Sequence, residues 1–235
     1  MTLGKWIALT IAFLTGCSLA SGFTGKNPMA PRGFMQQEEK QEESDNPLLN
    51  PEKANETAPD VFKAKFETTQ GDFVMEVHRE WSPNGADRFY NLVKIGYFTD
   101  IAIFRSIEGF MFQFGIHGDP AVNKAWDDAN IKDDPSVKDI SNTPGTITFA
   151  KTGLPNSRSV QFFINLNDNG RLDDMGFTPF GKVVEGADVF GKIFITDENP
   201  REVQGRFTAE GNDYIKQKYP DVDFINSVTL VEGEE

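Results

Sequence analysis

Short strand-like segments recur from residue 61 onward, and they constrain the fold more than any other feature. Phe62, Ala64 and Phe66 alternate with polar residues, Gln70-Gly71 favours a turn, and alternation resumes over residues 73–77. This pattern predicts a hairpin with one solvent-facing side. Further strand-like runs lie at Ile101–Ser106, Phe110–Gly115, Thr146–Ala150, Gln161–Asn165, Pro179–Val184 and Ser227–Val231. Many short strands with few helices predict a mainly β protein, either a barrel or a sandwich.

Helical signals are confined to a few places. Ser82 can cap a helix that has Pro83 at its first position, and apolar residues then recur at helical spacing until Gly96. A second, short helix is predicted at Ala187–Phe194. The stretch Phe207–Tyr219 has the pattern of one further helix on the surface, with no role that the sequence reveals.

Two polar residues stand out in the apolar run from Ile101 to Gly115. This run predicts two buried strands separated near Glu108-Gly109, and it contains Arg105 and Gln113. Because side chains alternate along a strand, Gln113 shares a face with Met111. One interpretation is that Arg105 and Gln113 face a cleft, and the other is that Arg105 is a rim residue extending past a hydrophobic core.

The segment V-Q-F-F-I-N at residues 160–165 repeats this arrangement. Gln161, Phe163 and Asn165 lie on one face of the predicted strand, and Phe162 and Ile164 lie on the other. Two strands therefore each present a large apolar side chain beside a glutamine. Such a mixture is what a peptide-binding cleft with a few placed polar groups requires.

Composition and motifs exclude several other classes of function. The net charge of −13 and the pI near 4.6 argue against nucleic-acid binding, which needs clustered Lys and Arg. His78 and His117 lack the spacing of metal ligands, and the carboxylates of Asp127–Asp139 lack the order of a calcium loop, which favours a solvated acidic loop. No phosphate-binding loop or activated nucleophile is recognisable, so neither a metal nor a cofactor is expected.

The N-terminus has the layout of an export signal. Lys5 precedes an apolar run that ends at Leu14 and is too short to span a membrane. The following Leu14-Thr15-Gly16-Cys17 resembles a bacterial lipobox, in which the cysteine becomes the lipidated first residue. Residues 1–17 are therefore interpreted as a lipoprotein signal peptide with Cys17 as the lipidation site; the alternative is an incidental cysteine in an ordinary signal peptide.

The residues after Cys17 predict a tether and a location. Residues 18–60 are rich in Pro, Asn, Gln and Glu and poor in apolar area, which predicts a flexible segment that holds the domain off a membrane. The expected location is the cell envelope, lipid-anchored and facing the periplasm. In bacteria with two membranes, Ser18 after the cysteine implies sorting to the outer membrane.

Four segments taken together resemble the cyclophilin family of peptidyl-prolyl cis-trans isomerases. They are F-R-S-I-E-G-F-M-F-Q-F-G (104–115), G-T-I-T-F-A (145–150), P-N-S-R-S-V-Q-F-F-I-N (155–165) and L-D-D-M-G-F-T-P-F-G-K-V-V-E-G (172–186). Their order and spacing are similar from about Val61 to Val231. Several motifs in the right order are far more specific than any one of them.

The resemblance implies a fold and a site. It implies a closed eight-stranded β-barrel capped by two α-helices, formed by a domain over residues 61–235, with the active cleft on its outer face. By position, Arg105 is the catalytic arginine, and Gln113 and Gln161 hold the substrate backbone. The remaining substrate-binding residues implied by position are Phe110, Met111, Ala150, Lys151, Phe163, Leu172 and Phe177.

The sequence departs from the family pattern at three positions in or next to this site. Phe104 replaces the usual histidine before the arginine, Phe177 lies near another usual histidine, and Arg171 lies where many members have tryptophan. Both later segments also need a one-residue insertion, near Gly153-Leu154 and near Asp174-Met175. Because the tryptophan contacts cyclosporin in sensitive members, weak cyclosporin binding is expected here.

The sequence alone therefore leaves two hypotheses for the function. The first is a monomeric envelope isomerase, without a cofactor, that accelerates X-Pro isomerisation in proline-containing polypeptides during folding. The second is a membrane-tethered module or chaperone that binds proline-containing segments with little turnover. Peptide binding without a faster rate of isomerisation would distinguish the second from the first.

Overall fold

The computed structural model describes residues 45–196 and 200–231. All of them belong to one compact unit, Glu39–Glu235. The predicted signal peptide, the lipidation site Cys17 and the first part of the predicted tether lie outside the described residues.

Nine strands form one curled sheet in the order β3-β9-β1-β2-β8-β6-β7-β5-β4. Every pair of neighbours is antiparallel, as expected for a mainly β protein built from hairpins and longer connections. The strands are β1 (Val61–Thr68), β2 (Gly71–His78), β3 (Ile101–Ala102), β4 (Arg105–Ile107), β5 (Met111–Phe114), β6 (Thr146–Phe149), β7 (Phe162–Asn165), β8 (Pro179–Glu185) and β9 (Phe224–Leu230).

The two edge strands of this sheet are consecutive in the chain. Only Ile103 and Phe104 separate β3 from β4, so the sheet curls until its edges are joined by two residues. The predicted mainly β, barrel-like class is confirmed. The sheet has nine strands rather than eight because the run predicted as Ile101–Ser106 forms two strands. Ile103 and Phe104 interrupt it, and the two parts lie at opposite edges of the sheet.

The described residues contain four α-helices rather than two. They are α1 (Pro83–Lys94), α2 (Pro120–Trp126), α3 (Pro200–Glu210) and α4 (Asn212–Lys218). The single surface helix predicted at Phe207–Tyr219 is divided between α3 and α4 by Gly211, whose φ is +71°. A Cβ at Gly211 would lie 2.2 Å from the Gly118 carbonyl oxygen, so the close approach of the two segments requires glycine.

The α3–α4 pair is packed into the molecule, contrary to the expectation of a surface helix. Phe207 and Ile215 are fully buried, and they join a small core that also contains Ala102, Phe104 and Ile116. The predicted helix at Ala187–Phe194 is a 3₁₀ helix over Ala187–Lys192. The packing of α3 and α4 places them beside the strand segment that leads into Arg105.

The N-terminus of α1 is capped by a residue distant in sequence. Ser82 precedes the helix as predicted, but its side chain caps no helical N–H. Asp134 instead accepts hydrogen bonds from the backbone N–H of Asn84 (3.1 Å) and of Gly85 (3.0 Å), and Ser82 Oγ also donates to it (2.5 Å). Asp134 is buried and ion-paired with Arg158, so the acidic loop is not uniformly solvated as the sequence suggested.

The expectation that the flexible segment extends to residue 60 is wrong for residues 45–60. Two 3₁₀ turns at Pro47–Leu49 and Pro51–Lys53 lie on the domain, and the Trp126 indole N–H donates to the Leu48 carbonyl (2.8 Å). Asn91 on α1 exchanges two hydrogen bonds with the backbone of Glu56. Polar composition suggested disorder, but buried side-chain partners satisfy the backbone here. The predicted tether therefore does not include residues 45–60.

Phenylalanine rings fill the interior of the curled sheet. Phe66 stacks on Phe73 with ring centroids 4.5 Å apart, and Phe149 and Phe162 lie 4.4 Å apart. These rings are at most 1% exposed, so the interior is a packed core and contains no open channel at this level. The interior of the sheet therefore leaves no space for a ligand at this level.

Candidate active site

Alternation along β5 and β7 separates the core from an outer cleft. Phe112 and Phe114 of β5 pack in the main core, whereas Met111 and Gln113 line the cleft. In β7, Phe162 belongs to the core and Phe163 lines the cleft. The division of faces predicted from the period of two is therefore confirmed.

Strand register brings the predicted arginine and the two glutamines together. Arg105 on β4 pairs with Gln113 on β5, and Gln113 in turn pairs with Phe163 on β7. The Arg105 Nη1 donates to Gln113 Oε1 (3.2 Å), and Gln113 Nε2 donates to Gln161 Oε1 (2.9 Å). This row of hydrogen bonds fixes the orientation of both amides. A guanidinium has five N–H donors, so Arg105 can hold Gln113 and donate to a ligand at the same time.

An apolar pocket lies next to this polar row. Met111, Phe163 and Leu172 form a buried cluster of their own, separate from the main core. Its partly buried borders are Ile107, Phe110, Ala150 and Phe177. The Phe163 and Phe177 rings meet edge to face at 5.9 Å, which is a favourable arrangement for an aromatic pair.

The polar row and the apolar pocket belong to one cleft of about 820 Å³. That volume is in the range of sites for small molecules and short peptides. Every residue that the sequence placed in the site lines it, namely Arg105, Phe110, Met111, Gln113, Ala150, Lys151, Gln161, Phe163, Leu172 and Phe177. The structure thus brings the whole predicted set to one surface.

The cleft continues beyond the residues that the sequence suggested. Trp126 and Asn123 of α2, the loop around Leu154 and Ser157, and Gln204 of α3 also line it. Asn123 links two of these elements, because its amide Nδ2 donates to the Thr208 carbonyl (3.3 Å). No local motif marks these residues, since they reach the cleft only through the packing of α2 and α3.

Buried amides support the walls of the apolar pocket from behind. Asn169 Nδ2 donates to the Phe110 carbonyl (2.9 Å) and to Asn165 Oδ1 (2.8 Å). Asn165 donates to Asn142 Oδ1 (3.1 Å), and Asn142 donates to the Phe177 carbonyl (2.7 Å). The three asparagines are at most 1% exposed, so their hydrogen bonds fix the wall backbone firmly.

The turn that carries Leu172 is held by Asp173. Its carboxylate accepts hydrogen bonds from Ser141 Oγ and from the Asn142 backbone N–H (3.0 Å). Partial burial by itself raises the pKa of Asp173, but these hydrogen bonds outweigh it and hold the pKa below its ordinary value. Asp173 is therefore ionised at neutral pH and positions the Leu172 side of the pocket.

The three positions where the sequence departs from the family pattern have different structural roles. Phe104 is buried against Phe207 of α3, with ring centroids 6.0 Å apart, so its side chain contributes to packing. Phe177 is a wall of the apolar pocket. Arg171 is exposed, and its guanidinium lies 4.8 Å from the centre of the Phe110 ring.

The arrangement defines the chemistry that the site can perform. The pocket can take a compact apolar ring, and a fixed cation and two amides beside it can bind the polar backbone on either side of that ring. Within residues 45–196 and 200–231, no group of three or more His, Cys, Asp or Glu is placed to hold a metal ion. In the same residues, no helix has the length and apolarity needed to cross a membrane.

Comparison with known proteins gives a consistent result. The family described as "Cyclophilin type peptidyl-prolyl cis-trans isomerase/CLD" matches residues 63–210. A peptidyl-prolyl cis-trans isomerase of Acinetobacter baylyi is 35% identical over 133 residues, which are 55% of this chain and 70% of the relative. Peptidyl-prolyl cis-trans isomerase B of Escherichia coli is 30% identical over 175 residues, which are 71% of this chain and 98% of the relative.

Solved structures agree on the fold. The crystal structure of a cyclophilin-type isomerase from Cryptosporidium parvum superposes with a TM-score of 0.56 at 19% identity, over 74% of this chain and 99% of the other. The cyclophilin AquaCyp293 from Hirschia baltica gives a TM-score of 0.51 over 80% of each chain. At this level of identity the likeness concerns the architecture alone.

Proposed function

This chain belongs to the cyclophilin family of peptidyl-prolyl cis-trans isomerases, and from that premise we propose that Arg105 is its catalytic residue and that exported proteins are its substrates. The catalytic role of Arg105 is supported by the row of hydrogen bonds from Arg105 through Gln113 to Gln161, which lies directly beside an apolar pocket.

The proposed role of Arg105 follows from the chemistry of the X-Pro amide. Rotation about this bond breaks C–N resonance and meets a barrier of about 18–20 kcal/mol. In the twisted transition state, the prolyl nitrogen becomes pyramidal and gains a lone pair that can accept a hydrogen bond. Arg105 donates to that nitrogen, and it cannot act as a base because a guanidinium stays protonated. Binding the twisted form more tightly than either planar form lowers the barrier.

The other residues of the cleft hold the substrate in place. The prolyl ring enters the pocket between Met111, Phe163 and Leu172, which excludes water from the reacting amide. Gln113 and Gln161 bind the substrate backbone, and the backbone of Ala150 and Lys151 adds contacts on the same side. Since Gln113 is only 6% exposed and hydrogen-bonded at both ends, its amide is preorganised before substrate arrives.

Substitution of Arg105 tests this part of the proposal. Arg105→Lys keeps the charge but loses the planar fork that holds Gln113, and Arg105→Ala loses both. Losing a hydrogen bond made in the transition state typically costs about 10²–10³ in rate, so we expect kcat/KM to fall by that factor in both variants. Near-UV circular dichroism and peptide affinity serve as controls for the fold and the pocket. Full activity of either variant would show that Arg105 is not the catalytic residue.

The envelope location rests on the N-terminal sequence. The lipobox-like Leu14–Cys17 supports a lipid anchor, and the residues between Cys17 and residue 45 are long enough to separate a folded domain from a membrane surface. A protein at this location meets exported polypeptides, which are its expected substrates. Their X-Pro bonds need catalysis because uncatalysed isomerisation takes tens of seconds or longer.

Membrane fractionation tests the anchor. We expect the full chain in a bacterial host to sediment with membranes and Cys17→Ser to become soluble. A matched Ser18→Ala variant should stay with the membranes, because it leaves the modified thiol in place. Wild-type protein in the soluble fraction would contradict the anchor without affecting the isomerase activity.

A second candidate is the tethered binding module with little turnover. Arg171 and Lys151, which lie beside the pocket, favour it because they add binding contacts without adding transition-state contacts. Peptide affinity in the micromolar range, together with an unchanged isomerisation rate, would support this alternative.

A further inference from the structure

Two cations lie on the aromatic walls of the apolar pocket. The Arg171 guanidinium is 4.8 Å from the centre of the Phe110 ring, and the Lys151 ammonium is 5.5 Å from the centre of the Phe177 ring. Both distances are within the range of cation–π attraction. Each ring borders the cluster of Met111, Phe163 and Leu172, so the two charges stand at the mouth of the same pocket.

The surroundings of Lys151 and Arg171 leave their charges available. Within the described part of the chain, neither cation forms an ion pair, and the Arg171 hydrogen bond goes to the neutral Asn169 amide (3.3 Å). The neighbouring Asp173 carboxylate is engaged by Ser141 and Asn142. A Cβ at Gly176 would lie 3.0 Å from Lys151 Nζ, so this glycine leaves room for the ammonium over the ring.

These charges contrast with the rest of the protein. The chain carries a net charge of −13, yet the described residues that line the cleft include two cations, Arg105 and Lys151, against one carboxylate, Asp127. Arg171 adds a third cation at the edge of the cleft, where it lies over the Phe110 ring. Asp127 follows α2 and is not part of the apolar cluster. The mouth of the pocket is therefore a local cationic site on an acidic molecule, where anionic groups are attracted and cationic ones repelled.

We propose that the enzyme selects proline-containing segments with Asp or Glu next to the proline, and that Lys151 and Arg171 determine this preference. The inference rests on the proposed substrate position, with the prolyl ring between Met111, Phe163 and Leu172. A residue adjacent to the proline then passes the rim formed by Phe110 and Phe177. Because each cation already rests on a ring face, pairing with a carboxylate costs less side-chain entropy than pairing with a freely moving chain.

The size of the effect follows from the exposure of these charges. Ion pairs at a solvent-exposed rim contribute about 0.2–1 kcal/mol each, which corresponds to about 1.4- to 5-fold in a rate or binding constant. We therefore expect a Glu-Pro peptide or a Pro-Glu peptide to have a kcat/KM about 2- to 5-fold above that of its Gln counterpart. The preference should vanish near 1 M NaCl, where the Debye length is about 3 Å.

The test compares four peptides on the full chain and its variants. The peptides are Ala-Glu-Pro-Ala, Ala-Gln-Pro-Ala, Ala-Pro-Glu-Ala and Ala-Pro-Gln-Ala, with blocked ends so that no terminal charge contributes. For each pair, the Glu/Gln ratio of kcat/KM is measured by exchange NMR after subtraction of the uncatalysed rate. Peptide dissociation constants are measured by titration in parallel, so the preference is tested even if turnover is absent.

Two variants decide the outcome. We expect the Glu/Gln ratio to fall to about 1 in Lys151→Gln/Arg171→Gln and to stay at its wild-type value in Lys182→Gln, which removes one charge from an exposed site on β8. A wild-type ratio of 1 in both rate and affinity would overturn the inference, as would a preference that survives the double substitution. Absence of acceleration for all four peptides would instead contradict the isomerase activity itself.

Discussion

The buried Asp134–Arg158 pair makes a strong prediction about stability. The side chains of these residues are 2% and 4% exposed, and Arg158 Nη2 lies 3.0 Å from Asp134 Oδ2. The same carboxylate caps α1 through Asn84 and Gly85 and accepts from Ser82. Removing Asp134 therefore leaves a buried guanidinium without its closest anion and a helix N-terminus without its cap.

The magnitude of the Asp134→Ala effect can be worked out from these contacts. Removal of one partner of a buried ion pair costs about 3–5 kcal/mol, and loss of a helix cap costs about 1 kcal/mol. Asp133 remains 3.4 Å from Arg158 Nε and can take over part of the pairing, so the cost of breaking the ion pair should be about 3 kcal/mol. We expect the free energy of unfolding to fall by about 4 kcal/mol.

Urea denaturation measures this loss directly. With a slope of about 3 kcal/mol per M, the midpoint should fall by about 1.3 M at neutral pH. The matched control is Asp128→Ala, an exposed residue of the same loop, which should change stability by less than about 0.5 kcal/mol. Asp134→Leu/Arg158→Met should lose less than Asp134→Ala, since it leaves no buried guanidinium without its carboxylate. A loss below 1 kcal/mol in Asp134→Ala would show that Asp134 is not required to balance the buried charge of Arg158.

The same pair predicts the direction of a pH dependence. Burial alone raises the pKa of Asp134, but hydrogen bonds from Ser82 and Asn84 and the charge of Arg158 outweigh it and lower the pKa below its ordinary value. A carboxyl with a lowered folded-state pKa contributes stability above its unfolded pKa of about 3.9, and this contribution is lost as pH falls through the folded value. Below about pH 4, wild type should therefore lose stability more steeply than Asp134→Ala.

Three further predictions concern the N-terminal segment, the pocket wall and the break between α3 and α4. A chain that begins at Val61 should be about 3 kcal/mol less stable in urea than one that begins at Asp45, because it lacks the packing of Leu48 and Leu49 and the hydrogen bond from Trp126; equal stability would contradict the docking of residues 45–60. Cyclosporin should inhibit weakly, and a constant as tight as that of sensitive members would show that the arginine at 171 does not impair its binding. Gly211→Ala should lower the thermal midpoint by several degrees through a clash with the Gly118 carbonyl, whereas Gly205→Ala, with open space around it, should leave it unchanged or raise it.

The parts of the fold that depend on local pattern were predictable. The alternation in β5 and β7 assigned Gln113 and Phe163 to one face and Phe162 to the other, because side-chain direction in a strand is set by the backbone period. Strand register then follows from the same alternation, since a slip by one residue would bury the polar face. The cleft set could therefore be named from the sequence and its resemblance.

The parts that depend on distant contacts were not predictable. Asp134 caps α1 from 50 residues away, and no local signal distinguishes it from the solvated carboxylates around it. Residues 45–60 have the composition of a linker, yet Asn91 and Asp87 on α1 bind their backbone. Gln204 reaches the cleft only because Phe207 and Ile215 anchor the α3–α4 pair beside Phe104.

Two-dimensional exchange NMR on a short Ala-Pro peptide measures whether the protein is an isomerase and whether Arg105 is its catalytic residue. The rate of cis-trans exchange is measured with wild type and with Arg105→Ala, at matched concentrations and with the fold of each protein checked. We expect fast exchange with wild type that is mostly lost in the variant. Shifted peptide resonances without faster exchange in either protein would contradict it and identify a proline-binding module.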